Sequence, residues 1–233
     1  MQAIEAVLFD LDGTLLDTAP DFVRVVNQQR LKYEMAELEY EHIRAVVSNG
    51  GRALIHLSFG FGPEHEHFSQ RLEELLDLYY QNIAVETCLF PGMDDLLKFI
   101  EAAGVPWGIV TNKPRRFSEL LLTELKLSER CGVLVCPDDV THRKPHPEPM
   151  LLACKTLDCD PRNTLYVGDH VRDIEAGRAA GMVTVAARYG YLSDPDEALA
   201  WAADLNIDQP GELADWIRQQ NIPLRPPLNR QPS

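Results

Sequence analysis

The sequence predicts an α/β fold in which a parallel sheet flanked by helices carries an inserted all-helical block. Two observations favour this fold. Short apolar segments alternate with amphipathic stretches of helical length, which is typical of βαβ units and parallel sheets. The first apolar segment ends at Asp10 and the next at Thr111, about 100 residues later, whereas a βαβ unit needs only about 30 residues. The surplus of about 70 residues predicts the insertion.

Residues 4–9 are predicted as the first strand, because a short continuous apolar run is typical of a strand buried on both faces. Leucine and aromatic side chains then recur at helical spacing, most clearly before residue 83. Helices are predicted at residues 20–33, 37–47 and 70–83, with a polar turn at residues 48–51. No convincing strand is predicted between residues 17 and 87.

The second part of the chain repeats the alternation of strand and helix. A helix is predicted between Gly92 and Gly104, and the second glycine has the position of a C-terminal cap. Further strands are predicted at residues 106–110, 133–135, 164–167, 183–186 and 204–207. Further helices are predicted at residues 116–125, 148–157, 174–180 and 212–219.

These elements predict two domains and a tail. Residues 1–16 and 88–222 form the α/β core, and residues 17–87 form a helical cap over the mouth of the sheet, where it excludes water and shapes a pocket. The proline-rich residues 223–233 are expected to be a flexible tail.

Composition narrows the class of protein. The chain has 233 residues, 45% of them hydrophobic, and a net charge of −14, which argues against nucleic acid and anionic membranes as partners. Neither a signal peptide nor a transmembrane segment is predicted. The five cysteines form no CxxC pair, so reduced thiols in the cytoplasm are expected. The chain is expected to be a monomer or a homodimer.

Polar residues of complementary kinds follow the predicted strands or precede the predicted helices. Ligands of open α/β sheets bind outside the carboxyl ends of the strands. Two carboxylates placed there repel each other, and a bound Mg²⁺ would resolve that conflict. Several carboxylates, one lysine, and hydroxyl and amide donors suit phosphoryl transfer. The candidate residues are Asp10, Asp12, Thr111, Asn112, Lys144, Asp169 and Asp173.

Each assignment has a structural alternative. Asp10 and Asp12 alone also fit a solvated acidic turn at a strand end. Thr111 fits a plain helix N-cap, Lys144 an exposed surface lysine, and Asp173 a carboxylate that only favours a helix N-terminus.

Other chemistry-bearing residues are interpreted as non-catalytic. His170 is taken as a spectator or a neighbour of the site. His65 and His67 alternate with glutamates and fit a solvated loop better than a metal site. Cys131 and Cys136 are expected to be small core residues.

Four motifs in order resemble the haloacid dehalogenase superfamily of phosphatases with a helical cap. The pattern DxDGTL matches residues 10–15, the Ser/Thr motif matches Thr111, the lysine motif matches Lys144, and GDxxxD matches residues 168–173. The resemblance covers residues 4–216 and implies a Rossmann-like parallel-sheet core.

The resemblance also implies residue roles. Asp10 would be the nucleophile that forms an aspartyl-phosphate, and Asp12 would protonate the leaving oxygen and then activate water. The phosphate-binding residues would be Thr14, Thr111, Asn112 and Lys144. Mg²⁺ would be held by Asp10, by the backbone carbonyl of Asp12 and by Asp169, with Asp173 bound directly or through water.

The cap is expected to select a small-molecule phosphomonoester. Gly50 and Gly51 let the backbone approach a ligand, and Arg52 would pair with a carboxylate, unless it is only an exposed helix-start arginine. Whole-chain resemblance favours the N-acetylmuramic acid 6-phosphate phosphatases of cell-wall recycling over the phosphoglycolate phosphatases. A phosphosugar mutase is a further alternative. The presence of Asp12 argues against a haloacid dehalogenase, and the complete motif set argues against a non-catalytic binding protein.

Overall fold

A six-stranded parallel sheet forms the centre of the computed structural model, which describes residues 3–220 and 222–224. The strands are β1 (Ala6–Phe9), β2 (Leu16–Asp17), β3 (Cys88–Leu89), β4 (Trp107–Val110), β5 (Leu134–Val135), β6 (Thr164–Gly168), β7 (Val183–Ala187) and β8 (Leu205–Ile207). The order in the sheet is β5-β4-β1-β6-β7-β8, and every pair in it is parallel. The predicted α/β class with a parallel sheet is confirmed.

Helices cover both faces of the sheet and also form the insertion. The helices are α1 (Ala19–Lys32), α2 (Tyr40–Arg44), α3 (Gly51–Phe59), α4 (Phe68–Gln81), α5 (Met93–Ala102), α6 (Arg115–Glu124), α7 (Glu148–Leu157), α8 (Val171–Ala179) and α9 (Gly211–Gln219). Short 3₁₀ segments occur at Val47–Asn49, Pro137–Asp139, Pro161–Asn163 and Pro195–Trp201. None of the helices in the described ranges is long and apolar enough to cross a membrane.

β1 is buried on both faces because it lies in the middle of the sheet. Val7 and Phe9 belong to the core cluster that includes α5 and α9, whereas Ala6 and Leu8 belong to the cluster formed with α7. Successive strand side chains point to opposite faces, so a continuous apolar run is required here. Its carboxyl end therefore lies at the middle of the sheet edge.

The helical block between β2 and β3 differs in detail from the prediction. The stretch predicted as one helix at residues 37–47 is the short α2, followed by the 3₁₀ turn Val47–Asn49. α3 was not predicted as a separate helix, because Gly50 and Gly51 look like a turn in the sequence. α4 begins and ends two residues earlier than the predicted 70–83.

The two junctions of the insertion are joined to each other. β2 and β3 pair as a short antiparallel ladder, with Leu16 opposite Leu89, although the sequence predicted only hinges. Next to this ladder the Asp21 carboxylate accepts hydrogen bonds from the backbone N–H groups of Val85, Glu86 and Thr87. The entering and leaving strands of the insertion are thus fixed side by side.

The first residues of the predicted tail contact the first strand segment. The Ile4 N–H donates to the Pro223 carbonyl at 2.9 Å, and Ile4 forms a parallel bridge with Leu224. Pro223 and Leu224 thus contact the start of the chain, and the flexibility predicted for the tail stays a prediction. The rest of that prediction, residues 225–233, lies outside the described residues.

Candidate active site

Lys144 and Asp10 form the centre of the site. Lys144 Nζ lies 2.9 Å from Asp10 Oδ1 and 2.8 Å from Asp173 Oδ1, and it donates to the Val110 carbonyl oxygen at 2.9 Å. The lysine is 2% exposed, which rules out an exposed surface lysine. Burial lowers the pKa of Lys144, but Asp10 and Asp173 raise it by more, so the amine stays charged.

Three carboxylates meet beside this lysine. Oxygens of Asp10, Asp169 and Asp173 lie within 4.8 Å of one another. Burial, and then repulsion from Asp10 and Asp173, raises the pKa of Asp169 to about 7. Burial also raises the pKa of Asp173, although Lys144 opposes the shift. A single lysine does not neutralise three clustered carboxylates, and their oxygens are ligands that Mg²⁺ prefers, so the cluster fits a divalent cation.

Asp173 has two partners besides Lys144. Its Oδ2 accepts the backbone N–H of His170 at 3.1 Å, which caps the start of α8, and its Oδ1 accepts the Tyr166 hydroxyl at 3.3 Å. The helix-start alternative for Asp173 is therefore true, but the same carboxylate also faces the site.

Asp169 is held by donors from three segments. Its Oδ2 accepts Ser48 Oγ at 3.1 Å and the Tyr191 N–H at 2.9 Å, and its Oδ1 accepts Thr14 Oγ1 at 3.4 Å. Thr14 is fully buried and orients Asp169, so the structure does not place its hydroxyl in the cavity as a phosphate-binding group. Gly13 has a φ of +81°, and a Cβ there would overlap Asp169 Oδ2, so this turn requires glycine.

The Asp12 side chain has partners of its own and is not one of the three clustered carboxylates. Its Oδ1 accepts Thr18 Oγ1 at 2.6 Å, and Lys113 Nζ lies 2.9 Å from Oδ1 and 3.2 Å from Oδ2. The Lys113 ammonium also lies 4.6 Å from the ring centre of Tyr79. The Asp12 side chain thus has its own counter-ion, and the metal role predicted for Asp12 rests on its backbone carbonyl alone.

Lys113 is the functional candidate that sequence reasoning missed. It directly follows Thr111 and Asn112, but a lysine in a loop carries no signal of burial, and here it is 7% exposed. The only available signal was its place one residue beyond a strand-end motif.

Thr111 and Asn112 line the cavity at the carboxyl end of β4. Thr111 is not a helix N-cap, since α6 begins at Arg115 after Pro114. The Thr111 Oγ1 instead accepts the Lys113 N–H at 3.2 Å. The Asn112 side-chain amide donates to the Lys144 carbonyl at 3.1 Å. Within the described part of the chain, Asn112 Oδ1 is buried without a hydrogen-bond partner.

A cavity of about 770 Å³ connects the carboxylates to the helical block. Its floor contains Asp10 and Asp12, and its apolar wall contains Phe22, Leu72 and Tyr79. Among the described residues, the buried Tyr79 hydroxyl has no partner. Burial, and then the charge of Asp12, raises the pKa of this phenol well above its usual value, so it remains a neutral donor.

The loop before α3 closes one side of the cavity. Gly50 has a φ of +80°, and Gly50, Gly51 and Arg52 all line the cavity at the N-terminus of α3. Arg52 is exposed, so it is a helix-start arginine that also faces the cavity. The loop is fixed to the core because Arg172 donates to the Ser48 carbonyl at 2.6 Å.

His170 lines the cavity and caps α8. Its Nδ1 accepts the Arg172 N–H at 3.2 Å, and burial, followed by the charges of Arg172 and Lys144, lowers its pKa to about 4. The ring is therefore neutral near pH 7. This geometry agrees with the prediction that His170 is a neighbour of the site.

The amino-acid sequence of this chain is similar to those of known phosphatases. The family model described as haloacid dehalogenase-like hydrolase matches residues 7–187. An N-acetylmuramic acid 6-phosphate phosphatase of Pseudomonas aeruginosa is 46% identical over 212 residues, which are 91% of this chain and 94% of the relative. A phosphoglycolate phosphatase of Xanthomonas campestris is 41% identical over 216 residues, which are 91% of this chain and 96% of that protein.

A solved structure shares the whole architecture. It is that of a Haemophilus somnus protein described as a predicted phosphoglycolate phosphatase, and it matches with a TM-score of 0.80 at 22% identity. The match covers 91% of this chain and 97% of that protein. At 22% sequence identity, this structural similarity shows that the two proteins share a fold.

Proposed function

The chain belongs to the haloacid dehalogenase-like hydrolase family, and from that premise we propose that this phosphomonoester hydrolase acts on N-acetylmuramic acid 6-phosphate through an aspartyl-phosphate on Asp10. The observation that carries the reaction is the contact of Lys144 with Asp10 and Asp173 at the carboxyl edge of the sheet. A charged lysine there holds Asp10 in place and offsets the charge of an arriving phosphate.

In the proposed reaction Asp10 is the nucleophile and Asp12 is the general acid and base. An Asp10 carboxylate oxygen attacks phosphorus as the bond to the substrate oxygen breaks, and Asp12 gives its proton to that oxygen. Water then attacks the aspartyl-phosphate, the bond between Asp10 and phosphorus breaks, and Asp12 takes back a proton. Asp12 lies two residues beyond Asp10 and is fixed by Thr18, which holds the acid–base group beside the nucleophile.

We propose that Mg²⁺ is the resident metal, in keeping with the all-oxygen donor set of Asp10, Asp169 and Asp173. When bound, it would neutralise charge on the phosphoryl oxygens. The chain's own contribution is to hold Asp169 through Ser48, Thr14 and the backbone of Tyr191.

The cavity supports a sugar phosphate as substrate. Pockets of about 300–1,000 Å³ hold ligands much larger than a two-carbon acid, and the cavity of about 770 Å³ lies within that range. Arg52 and Arg143 line it and are suited to a carboxylate such as a lactyl group. Tyr79 and Asn112 also line the cavity, and among the described residues the Tyr79 hydroxyl and Asn112 Oδ1 are buried without a hydrogen-bond partner.

Phosphoglycolate is the second candidate substrate, because it also carries a carboxylate and a 41% identical relative is a phosphoglycolate phosphatase. Mutase activity on a phosphosugar is the alternative of another class.

We also propose residues 17–87 as a separate cap domain and the cytoplasm as the location, where the five free thiols would stay reduced.

The test is Mg²⁺-dependent phosphate release, with kcat/KM measured on N-acetylmuramic acid 6-phosphate and on 2-phosphoglycolate and with Asp10→Asn as the blank. We expect a preference for the sugar phosphate of at least about a hundredfold, which corresponds to about 2.7 kcal/mol of transition-state binding. A preference for 2-phosphoglycolate would contradict the proposed substrate and keep the reaction. Turnover only with an added sugar bisphosphate would favour the mutase.

A further inference from the structure

The turn that carries Lys144 is flanked by two histidines. The His146 N–H donates to the Arg143 carbonyl at 3.0 Å and closes the turn, so His142 and His146 stand at its two ends. Their ring centres are 4.6 Å apart. Glu148, the first residue of α7, lies beside both rings, with Oε2 3.0 Å from His142 Nδ1 and 3.9 Å from His146 Nδ1.

The backbone holds the Glu148 carboxylate in this position. Oε1 accepts the Thr141 N–H at 2.8 Å, and Oε2 accepts the His142 N–H at 2.9 Å. Prolines precede and follow His146, and each restricts the local backbone. The three side chains therefore lie close together on a stiff segment, which lowers the conformational entropy lost when a ligand orders them.

We propose that His142, His146 and Glu148 form a binding site for a divalent first-row transition metal, with Zn²⁺ as its representative. Ligand atoms of the three residues lie within 4.8 Å of one another. Two imidazoles and one carboxylate are a donor set that binds Zn²⁺ with a position left for water. Mg²⁺ prefers oxygen ligands and does not match two imidazoles.

This site is separate from the three active-site carboxylates. Lys144 is turned inward and paired with Asp10 and Asp173, and Arg143 lines the active-site cavity. The two histidines are exposed on the outside of the turn. Lys144 and Arg143 thus serve the active-site cavity, whereas the two exposed histidines belong to the proposed second site.

A metal bound here would connect both ends of the Lys144 turn to the start of α7. His142 Nδ1 lies within hydrogen-bond distance of Glu148 Oε2, and a bound metal would replace that contact. Because the metal would bind the folded geometry more tightly than the unfolded chain, it would raise the melting temperature.

The test is calorimetric titration of Zn²⁺ into the whole protein in excess Mg²⁺, for the wild type, His142→Ala and His146→Ala. The double variant His65→Ala/His67→Ala is the matched control, since those histidines are also exposed and adjacent to glutamates. Any Zn²⁺ that enters the active-site carboxylates is common to all four proteins.

We expect the wild type and the control to bind one Zn²⁺ more tightly, by at least tenfold, than either turn variant. The Zn²⁺-dependent rise in melting temperature should be present in the wild type and the control and reduced in both turn variants. Equal Zn²⁺ affinity in wild type and His146→Ala, or an equal loss in the control, would show that the turn does not bind the metal. Both readouts are independent of phosphatase activity.

Discussion

Lys144 shows at the scale of single residues how the site is assembled. Its Nζ contacts Asp10 after β1 and Asp173 in α8. Because Lys144 is only 2% exposed, water does little to solvate its charge. A buried ammonium is stable only with such partners, since an unpaired buried charge is costly. Each of these three buried charges is therefore stabilised by the opposite charge beside it.

Asp10→Asn should abolish turnover and leave the fold intact. The amide keeps the size of the side chain but is a very poor nucleophile, so we expect kcat to fall by at least about a thousandfold. Phosphate release and circular dichroism would measure the two effects. Asp77→Asn, on an exposed position of α4, is the control, and turnover within tenfold of wild type in Asp10→Asn would contradict the nucleophile assignment.

Lys113→Met should reduce kcat/KM by about tenfold to a hundredfold. The reason is that Lys113 Nζ contacts both Asp12 oxygens, so its loss frees the proposed acid–base group from its position. Lys113→Arg keeps the charge and should recover part of the rate. The role would be disproved if Lys113→Met matched wild type on substrates with poor leaving groups, where protonation by Asp12 matters most.

At the scale of elements, α3 contributes most to the proposed specificity. The backbone turns at Gly50 with a φ of +80°, and α3 then starts with its N-terminus at the cavity. Helix N-terminal N–H groups favour anions, and Arg52 adds a full positive charge in the first turn. The element is therefore suited to the carboxylate of a substrate.

Arg52→Ala should raise KM for carboxylate-bearing substrates by about tenfold and change kcat little. The reason is that the arginine would contact the part of the substrate that does not react. Steady-state kinetics on N-acetylmuramic acid 6-phosphate and on p-nitrophenyl phosphate, which lacks a carboxylate, separate the effects. An equal rise in KM for both substrates would argue against a carboxylate contact.

At the scale of the whole molecule, topology brings distant residues together. The parallel order β4-β1-β6 places Thr111, Asp10 and Asp169 at neighbouring strand ends. The helical block then covers this edge, and Arg44 of α2 donates to the Gly190 carbonyl at 2.7 Å. This contact joins the insertion to the core, and the cavity is lined by residues of both.

The metal-free protein should lose stability as the pH rises towards 7. In the folded state the pKa of Asp169 is about 7, whereas the pKa of an aspartate in the unfolded chain is about 4. The folded state therefore binds more protons in this window, so its stability falls as the pH increases. His170, with its lowered pKa, acts in the opposite direction below about pH 6.5.

Melting temperatures of chelated wild type and Asp169→Asn between pH 5 and 8 test this prediction. The variant lacks the titrating carboxyl, so the wild type should lose stability relative to it as the pH rises. Mg²⁺ requires ionised ligands, so its stabilising effect on the wild type should grow across the same window. A wild type that gains stability relative to Asp169→Asn would contradict the raised pKa of Asp169.

Local sequence was enough to predict most strands and the residues at their ends. A buried parallel strand needs a continuous apolar run, and the polar residue that ends the run marks the edge of the sheet. Asp10, Thr111 and Asp169 are recognisable for this reason. The α3 helix was missed because its glycines resemble a turn, and the β2–β3 ladder was missed because each strand has only two residues.

The sequence by itself determined the fold class, the insertion and the chemistry of the strand ends, because these depend on the spacing of apolar and polar residues along the chain. Only the tertiary structure decided which side chains pair. It placed Lys113 against Asp12 and turned Thr14 towards Asp169. It also left the Tyr79 hydroxyl and Asn112 Oδ1 buried without a partner among the described residues. Such contacts join residues far apart in the chain, and local patterns carry no information about which buried charge or hydroxyl meets which partner.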